Sequence, residues 1–193
     1  MADRPLEFEE YKQIMNLINE GFKYFEDNKE KTFRPNSKLY LALTLQANLG
    51  LRIGDVLSLT PNNFRMGKLI ITEDKTDKMQ NREVNPQIIE LVKDYAIEEG
   101  IKPNDKLFNR LGVRAVQKQL KIITNYLGLE NISTHSFRKM YAVNVYEQNN
   151  NNIELVKELL NHTSIATTQR YIRVKQKEIN AASKKVNLII EGN

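Results

Sequence analysis

The chain has 193 residues, of which 40% are hydrophobic and 27% are charged, a balance that predicts a single globular domain over 1–193. Its apolar runs fall short of the roughly 20 residues that cross a membrane, and its polar start, "MADRPLEFEE", argues against a signal peptide. The absence of cysteine excludes disulfides and thiolate metal sites. The absence of cysteine fits a reducing compartment, so we expect a cytoplasmic protein with no membrane partner.

The net charge is modestly positive. The chain carries 29 basic and 24 acidic residues, which gives a formal charge of +5 and an isoelectric point near 9.2. A polyanion such as nucleic acid is therefore a reasonable partner, although many basic proteins bind no nucleic acid. The positions of the basic residues have to decide between these interpretations.

The first half of the chain combines helical patterns with one strand pattern. In "LEFEEYKQIMNLINEGFKYF" apolar residues recur every three or four positions, which predicts a helix that ends near Gly21 or shortly after. A second, largely apolar helix follows the start signal at 35–37, and a short helix follows Gly50 and stops before Pro61. The stretch "KLIITEDKTDKMQNREVNP" joins a β-branched run to "REVNP" through a polar turn and predicts a small hairpin.

The second half of the chain is dominated by helical signals. Helices are predicted in "PQIIELVKDYAIEEG", "VRAVQKQLKIITNYLG" and "STHSFRKMYAVNVYEQ", the last capped by Ser133 or Thr134. A "QNNNN" tract at 148–152 breaks the pattern, and short helices are expected over 153–161 and 164–171, before a tail helix that ends in "VNLII". The whole pattern predicts a mainly α fold with a small antiparallel β-sheet, an α+β domain.

Several short stretches place groups that can bind an anion. His135 and Arg138 in "HSFR" lie three positions apart and share one face of a helix's first turn, where backbone N–H groups also favour a phosphate. Arg52 follows the sharp turn at Gly50, and the turn of the predicted hairpin contains lysines. Each stretch taken alone also has an ordinary explanation as a solvated helix face, a surface ion pair or a charged turn.

The stretch "NHTSIATTQRY" places His162 nine residues before Tyr171. In order along the chain, "GLRIGD" with Arg52, a hairpin lysine, "HSFR" and this stretch resemble the tyrosine recombinase family, the phage integrases and their relatives. The "SIATT" filling between His162 and Tyr171 also matches the family pattern. The resemblance covers roughly 35–171, and the complete ordered set is far more specific than any of its parts. It implies the catalytic-domain fold of that family.

The resemblance implies a site-specific recombinase that integrates, excises or inverts DNA. It assigns charge neutralisation to two arginines, since Arg52 and Arg138 would bind the nonbridging oxygens of the scissile phosphate. His162 would donate a further hydrogen bond to the same oxygens.

The covalent step implied by the resemblance belongs to Tyr171, which would attack phosphorus and form a 3′-phosphotyrosyl link. His135 would assist deprotonation of the phenol, whose ordinary pKa is near 10. Lys75 would protonate the departing 5′-oxygen. Because the covalent ester keeps the bond energy, no ATP, metal or other cofactor is implied.

The chain departs from the family pattern at three positions. Asn161 stands where glycine is common, Asp55 where glutamate is common, and Lys139 where histidine is frequent. In the hairpin, Lys78 competes with Lys75 for the role of general acid. Three basic residues near these groups are expected to contact DNA, namely Lys78, Lys139 and Arg170.

The resemblance also bears on partners and on the ends of the chain. Larger family members have an N-terminal helical domain that completes a clamp around DNA; we expect it to be absent here, in either a fragment or a short stand-alone member. The implied partners are double-stranded DNA and other protomers, in a tetramer on paired sites. The tail, 175–193, is either a final core-packing segment or a segment that docks on a neighbouring protomer.

Other functions are compatible with parts of this pattern. A catalytically silent DNA-binding module would keep the fold but has no need for Tyr171. A type IB topoisomerase or hairpin-telomere resolvase would use the same tyrosine ester without exchanging strands between two sites. A metal hydrolase is disfavoured, because only carboxylates could join the two histidines as ligands and neither histidine has an H-x-x-x-H partner.

Overall fold

The structure is a computed structural model that describes residues 3–74, 77–172 and 183–185. It is mostly helical with small antiparallel sheets, which confirms the predicted fold class. The described part of the tail is one exposed helical turn at 183–185; the rest of the predicted tail helix lies outside the described residues. No helix among the described ranges is both long and apolar enough to cross a membrane.

The N-terminal half is organised around one buried helix. Helix α1 (Phe8–Glu20) and helix α2 (Ser37–Leu49) form where the sequence predicts them, and α3 (Ile53–Ser58) follows α2 closely. The Asn36 side chain caps α2 by accepting a 3.0 Å hydrogen bond from the backbone N–H of Leu39. Because α2 is nearly all apolar, it lies in the centre of the core, as its composition predicts.

A two-stranded hairpin between α1 and α2 was not predicted. Strands β1 (Phe22–Glu26) and β2 (Lys29–Phe33) pair antiparallel around Asp27 and Asn28, which both have positive φ, as a tight two-residue hairpin turn requires. Phe22 continues the helical spacing of α1 in the sequence, but in the structure its ring stacks on Phe33 with centroids 5.1 Å apart. The helix ends at Glu20, so the predicted stop near Gly21 is confirmed.

The predicted hairpin in the middle of the chain belongs to a three-stranded antiparallel sheet. Its strands run in the order β3 (Phe64–Arg65), β4 (Lys68–Glu73) and β5 (Lys78–Glu83). Along β4 the buried positions alternate with more exposed ones and are Leu69, Ile71 and Glu73. A carboxylate therefore occupies the third inward position of an otherwise apolar strand face.

Between residues 77 and 172 the structure has five helices, and all of them lie within predicted segments. They are α4 (Pro86–Glu98), α5 (Val113–Tyr126), α6 (Thr134–Gln148), α7 (Ile153–Leu159) and α8 (Ile165–Gln169). The last two are each two to three residues shorter than their predicted spans. The "QNNNN" tract separates α6 from α7, as predicted.

The buried apolar residues form two clusters. The main core is formed by side chains from helices α1 through α5, from the sheet and from the start of α6. A small second cluster contains Ala142, Val156, Leu160 and Tyr171, with Tyr146 packed against it. The segment that carries Tyr171 thus packs on the far part of α6, in a cluster separate from the main core.

Candidate active site

The first turn of α6 is fixed by its cap. The Ser133 hydroxyl accepts a 3.1 Å hydrogen bond from the His135 N–H, and the Ser136 hydroxyl accepts one from the Ser133 N–H, also at 3.1 Å. This reciprocal arrangement sets where the helix begins. His135 and Arg138 therefore project from neighbouring turns of the same helix face, as the sequence predicts.

Arg138 is completely buried and joins two turns of the chain. Its Nη1 donates to the Gly50 carbonyl at 2.6 Å and its Nη2 to the Leu160 carbonyl at 2.7 Å. Gly50 is the C-cap of α2 and Leu160 is the C-cap of α7, so the guanidinium meets the partially negative ends of two helices. Burial lowers the pKa of Arg138, and the nearby Arg52 adds to that effect.

The turn before Arg52 is pressed against α6 at Gly50. Gly50 has a φ of 63°, and a Cβ at this position would lie 2.3 Å from a ring carbon of Tyr141. The Tyr141 ring is held in turn by Arg82, whose Nη1 donates to the phenol oxygen at 2.6 Å and whose Nη2 donates to the Leu49 carbonyl. Glycine is therefore required by both backbone conformation and space.

Arg52 is the N-cap of α3 and pairs with carboxylates from two elements. Its Nη1 forms an ion pair with the buried Glu73 and lies 4.0 Å from Asp55 Oδ2. Glu73 was not predicted as a partner of Arg52, although the inward alternation of Leu69, Ile71 and Glu73 was a signal. Asp55 also accepts a 3.1 Å hydrogen bond from the Asp74 N–H, and burial raises its pKa.

His162 and Tyr171 are placed by the compact α7–α8 turn. The His162 N–H donates to the Lys157 carbonyl at 3.0 Å, and the Tyr171 N–H donates to the Thr168 carbonyl at 2.9 Å. His162 Nδ1 lies 3.0 Å from the Thr168 hydroxyl oxygen. The rings of His162 and Tyr171 meet edge to face with centroids 5.0 Å apart, so the nine-residue spacing brings them into contact.

The tyrosine hydroxyl meets a histidine of α6. Tyr171 Oη lies 2.5 Å from His135 Nε2, and the two rings meet edge to face with centroids 5.2 Å apart. The Lys139 ammonium lies 5.4 Å from the centre of the Tyr171 ring and donates to the Asp3 carbonyl. All these groups belong to one chain, and Tyr171 is 7% exposed.

The electrostatic environment keeps both histidines uncharged at neutral pH. Burial, with Arg138 and Lys139 nearby, lowers the pKa of His135 to about 4. Burial, with Arg138 and Arg52 nearby, likewise lowers the pKa of His162 to about 4. Burial raises the pKa of Tyr171 although Arg138 acts in the opposite direction, so the phenol is protonated at rest. An uncharged His135 can accept a proton from this hydroxyl.

The remaining predicted site residues lie in different surroundings. Lys75 lies outside the described residues. Lys78 begins β5 and is exposed, and Arg170 is also exposed at the end of α8. Lys139 is buried. The structure thus brings Arg138, His135, His162, Tyr171 and Arg52 into one electrostatic cluster.

No group of three or more potential metal-ligating His, Cys, Asp or Glu side chains occurs in the part of the chain that the structure describes. The donors that face the candidate site are guanidinium, imidazole and phenol groups. Guanidinium and uncharged imidazole N–H groups suit an anionic ligand.

Comparison with known sequences places this arrangement among recombinases. The sequence model of the phage integrase family matches residues 4–178. The chain is 27% identical over 190 residues to tyrosine recombinase XerC of Caldanaerobacter subterraneus, covering 93% of this chain and 50% of that protein. It is 28% identical over 166 residues to the probable integrase/recombinase YoeC of Bacillus subtilis, covering 82% of this chain and 90% of that protein.

Solved structures show the same fold. The XerH site-specific recombinase, in a post-cleavage complex with its palindromic difH substrate, aligns with a TM-score of 0.73 at 24% identity, over 94% of this chain and 52% of that one. The catalytic domain of bacteriophage HP1 integrase aligns with a TM-score of 0.65 at 18% identity, over 97% of each chain. The chain thus spans about half of some relatives and nearly all of others.

Proposed function

Because this chain belongs to the phage integrase family, we propose that it is a site-specific recombinase that cleaves and rejoins double-stranded DNA. One observation carries the proposal beyond family membership. The Tyr171 hydroxyl lies 2.5 Å from His135 Nε2, and the buried Arg138 is close enough to shift the pKa of the phenol. This arrangement supports Tyr171 as nucleophile, His135 as base and Arg138 as the cation that binds the phosphate.

The arginines supply the charge that this reaction needs. A phosphodiester repels nucleophiles because its nonbridging oxygens are anionic, and the pentacoordinate transition state concentrates that charge. Arg52 and Arg138 would bind these oxygens. Among the described residues, the buried Arg138 Nε has no hydrogen-bond partner, and a phosphate oxygen beside Tyr171 would supply one.

The chemical step is an exchange of esters. Tyr171 Oη forms a bond to phosphorus as the bond between phosphorus and the 5′-oxygen breaks, and the phenol proton passes to His135 Nε2. When the Thr168 hydroxyl donates to Nδ1 of His162, the neutral ring carries its proton on Nε2 and can donate to a phosphate oxygen. Lys75 would protonate the 5′-oxygen. Rejoining reverses these steps, and the retained ester makes ATP unnecessary.

The partners follow from the proposed reaction. The XerH structure contains that recombinase bound to its difH DNA, and a lambda integrase structure contains a dimer bound to a core site. For this chain we infer double-stranded DNA and further copies of itself, in a tetramer on paired sites, and a cytoplasmic location with its DNA. The contact between His135 and Tyr171 within one chain supports attack in cis, on a phosphate bound by the same protomer.

The experiment that tests this function is covalent trapping on a nicked suicide DNA substrate, taken from the ends of the DNA element that carries the coding sequence. The reaction is run with a chelator and without ATP. We expect the wild type to form a denaturant-stable protein–DNA adduct and Tyr171→Phe to form none. Tyr146→Phe is the matched control, since it removes a hydroxyl from a residue packed beside the same cluster and should leave the adduct intact.

Three results would contradict parts of this proposal. An adduct that persists in Tyr171→Phe would remove that residue as nucleophile. Binding of the DNA without any adduct would support the silent DNA-binding module. Relaxation of supercoiled DNA regardless of sequence would support a type IB topoisomerase instead.

A further inference from the structure

A buried carboxylate, Glu73, lies beside the candidate active site. It is the last residue of β4 and has no exposed surface. A buried carboxylate costs folding free energy unless charged or hydrogen-bonding partners compensate for the lost water. A carboxylate is not expected to bind a DNA phosphate, so the burial of Glu73 next to Arg52 needs another explanation.

Among the described residues, three separate segments contribute partners to Glu73. Its Oε2 forms the ion pair with Nη1 of Arg52 at the start of α3. Its Oε1 accepts hydrogen bonds from Gln80 on β5 and, at 3.2 Å, from the Asn161 amide between α7 and α8. One carboxylate therefore links the arginine, the hairpin and the turn that precedes His162.

The pairing with Glu73 constrains how Arg52 is oriented. A guanidinium is planar and carries five N–H donors in a fixed fork, so a carboxylate bound at one nitrogen leaves another edge able to face a phosphate. Arg52 also lies near a second cation, because it contributes to the lowered pKa of Arg138. Two guanidinium groups repel each other, and Glu73 offsets that repulsion before DNA binds.

Asn161 explains one departure from the family pattern and extends the network. Its φ is 52°, a left-handed conformation that glycine and asparagine tolerate best. Glycine would satisfy this backbone requirement, but only a side chain can reach Glu73. The hydrogen bond of Asn161 therefore adds a connection between β4 and the turn that carries His162.

We infer that Glu73 is a positioning residue of this active site: it orients Arg52 toward the scissile phosphate and ties the turn before His162 to the lysine-bearing hairpin. The role rests on the proposed function, since it acts through the phosphate that Arg52 is proposed to bind. Glu73 itself makes no contact with substrate in this scheme.

The test compares Glu73→Gln with wild type in single-turnover cleavage of the nicked suicide substrate at saturating DNA. Glutamine keeps the size of the side chain and removes the charge that pairs with Arg52. We expect the cleavage rate to fall by about 10- to 100-fold, as for a misaligned catalytic group. The matched control is Glu83→Gln, which makes the same charge change at an exposed position of β5 and should cleave like wild type. DNA affinity should differ by less than about threefold between the two variants, because neither residue contacts phosphate.

A second substrate separates positioning from general structural damage. A methylphosphonate at the scissile position replaces one anionic oxygen by a methyl group, so less charge has to be neutralised by Arg52. If Glu73 acts through Arg52, the defect of Glu73→Gln should shrink to within about threefold on this neutral substrate. A merely structural role would slow both substrates by the same factor.

Asn161→Gly provides a variant that keeps the backbone conformation while removing one bond to Glu73. Because Arg52 keeps its carboxylate, we expect a smaller loss of cleavage rate, about two- to fivefold, with a thermal unfolding midpoint near that of wild type. Wild-type cleavage by Glu73→Gln, or equal losses on both substrates, would overturn the role of Glu73 while the proposed function stands. Failure of the wild type to form any adduct would overturn the function itself and this role with it.

Discussion

The proposed phosphate-binding side of the site and the segment that carries the proposed nucleophile, Tyr171, are packed in different ways. His135 and Arg138 project from the capped start of α6, beside the main core, and Arg52 follows the central helix α2. Among the described residues, Tyr171 instead packs in a small apolar cluster with Ala142, Val156 and Leu160, separate from the main core. Within the described part of the chain, the proposed phosphate site is therefore built on the main core, whereas the proposed nucleophile belongs to a smaller apolar cluster.

Arg138 is the main connection between these two regions, and replacing it should have the largest effect. Its guanidinium donates to Gly50 on one side and to Leu160 on the other. In Arg138→Lys, a single ammonium cannot reach both carbonyls. We expect cleavage to fall by about 1,000-fold and the free energy of unfolding by about 2–4 kcal/mol.

Adduct formation and urea unfolding measure these two effects. Arg65→Lys makes the same replacement at an exposed position of β3 and should change neither. Cleavage by Arg138→Lys within a few-fold of wild type would show that the two regions do not depend on this bridge.

His135 forms the second connection, and its loss should reduce catalysis more than structure. His135→Gln removes the proposed base that faces Tyr171 Oη, so we expect a cleavage rate about 100-fold lower at pH 7. The folded pKa of His135, about 4, lies below its ordinary value of 6.5. The stabilisation that its neutral form provides is therefore complete above pH 6.5 and is lost as pH falls toward 4.

The same reasoning applies to His162, whose pKa is also lowered to about 4, and the chain has only these two histidines. The free energy of unfolding of the wild type should fall between pH 6.5 and 5. Each single histidine-to-glutamine variant should flatten that slope, and the double variant should nearly abolish it. An unchanged slope in the double variant would assign the acid sensitivity to other groups.

Gly50 tests how firmly the phosphate-binding side is built. Gly50→Ala combines a left-handed φ with a Cβ 2.3 Å from the Tyr141 ring, so we expect a loss of about 3 kcal/mol in stability. Gly67→Ala is the matched control, because Gly67 has a φ of 77° but no atom within 4 Å of the added Cβ. It should lose only about 1 kcal/mol. Equal losses of unfolding free energy in the two variants, measured in urea, would show that the contact with Tyr141 does not add to the destabilisation.

Local sequence signals predict most elements of this fold but not the first hairpin. The helices have strong apolar periodicity, caps or flanking glycine and proline, and the β4–β5 hairpin has a β-branched run. By its spacing alone, Phe22 could continue α1. The aromatic contacts that place it in a strand, to Phe33 and Tyr126, depend on residues distant in sequence.

The candidate site was predictable where its residues are close in sequence. The spacing of His162 and Tyr171 and the "HSFR" turn place four groups, and the structure brings them together; their catalytic roles stay predictions. Glu73 was missed because two of its partners, Arg52 and Asn161, lie 21 and 88 residues away. Lys139 donates to the carbonyl of Asp3, 136 residues away, so local sequence gave no signal for this contact.

The smallest predicted effect tests the separate packing of the nucleophile segment directly. Val156 in the small cluster and Val116 in the main core are both fully buried, and replacing either by alanine removes the same two methyl groups. We expect each change to cost about 1–2 kcal/mol of local packing. Hydrogen exchange measured for each backbone amide shows which parts of the chain are destabilised by that loss.

The two valine variants should differ in which part of the chain loses amide protection, rather than in how much packing free energy is lost. Val116→Ala should lower amide protection throughout the domain, because the main core unfolds as one unit. Val156→Ala should lower protection only in α7 and α8, since the few contacts of their cluster can open while the main core stays folded. Loss of protection throughout the domain in Val156→Ala would mean that the nucleophile segment unfolds with the phosphate site. In that case the positions of Tyr171 and Arg138 would be set together by one cooperative core.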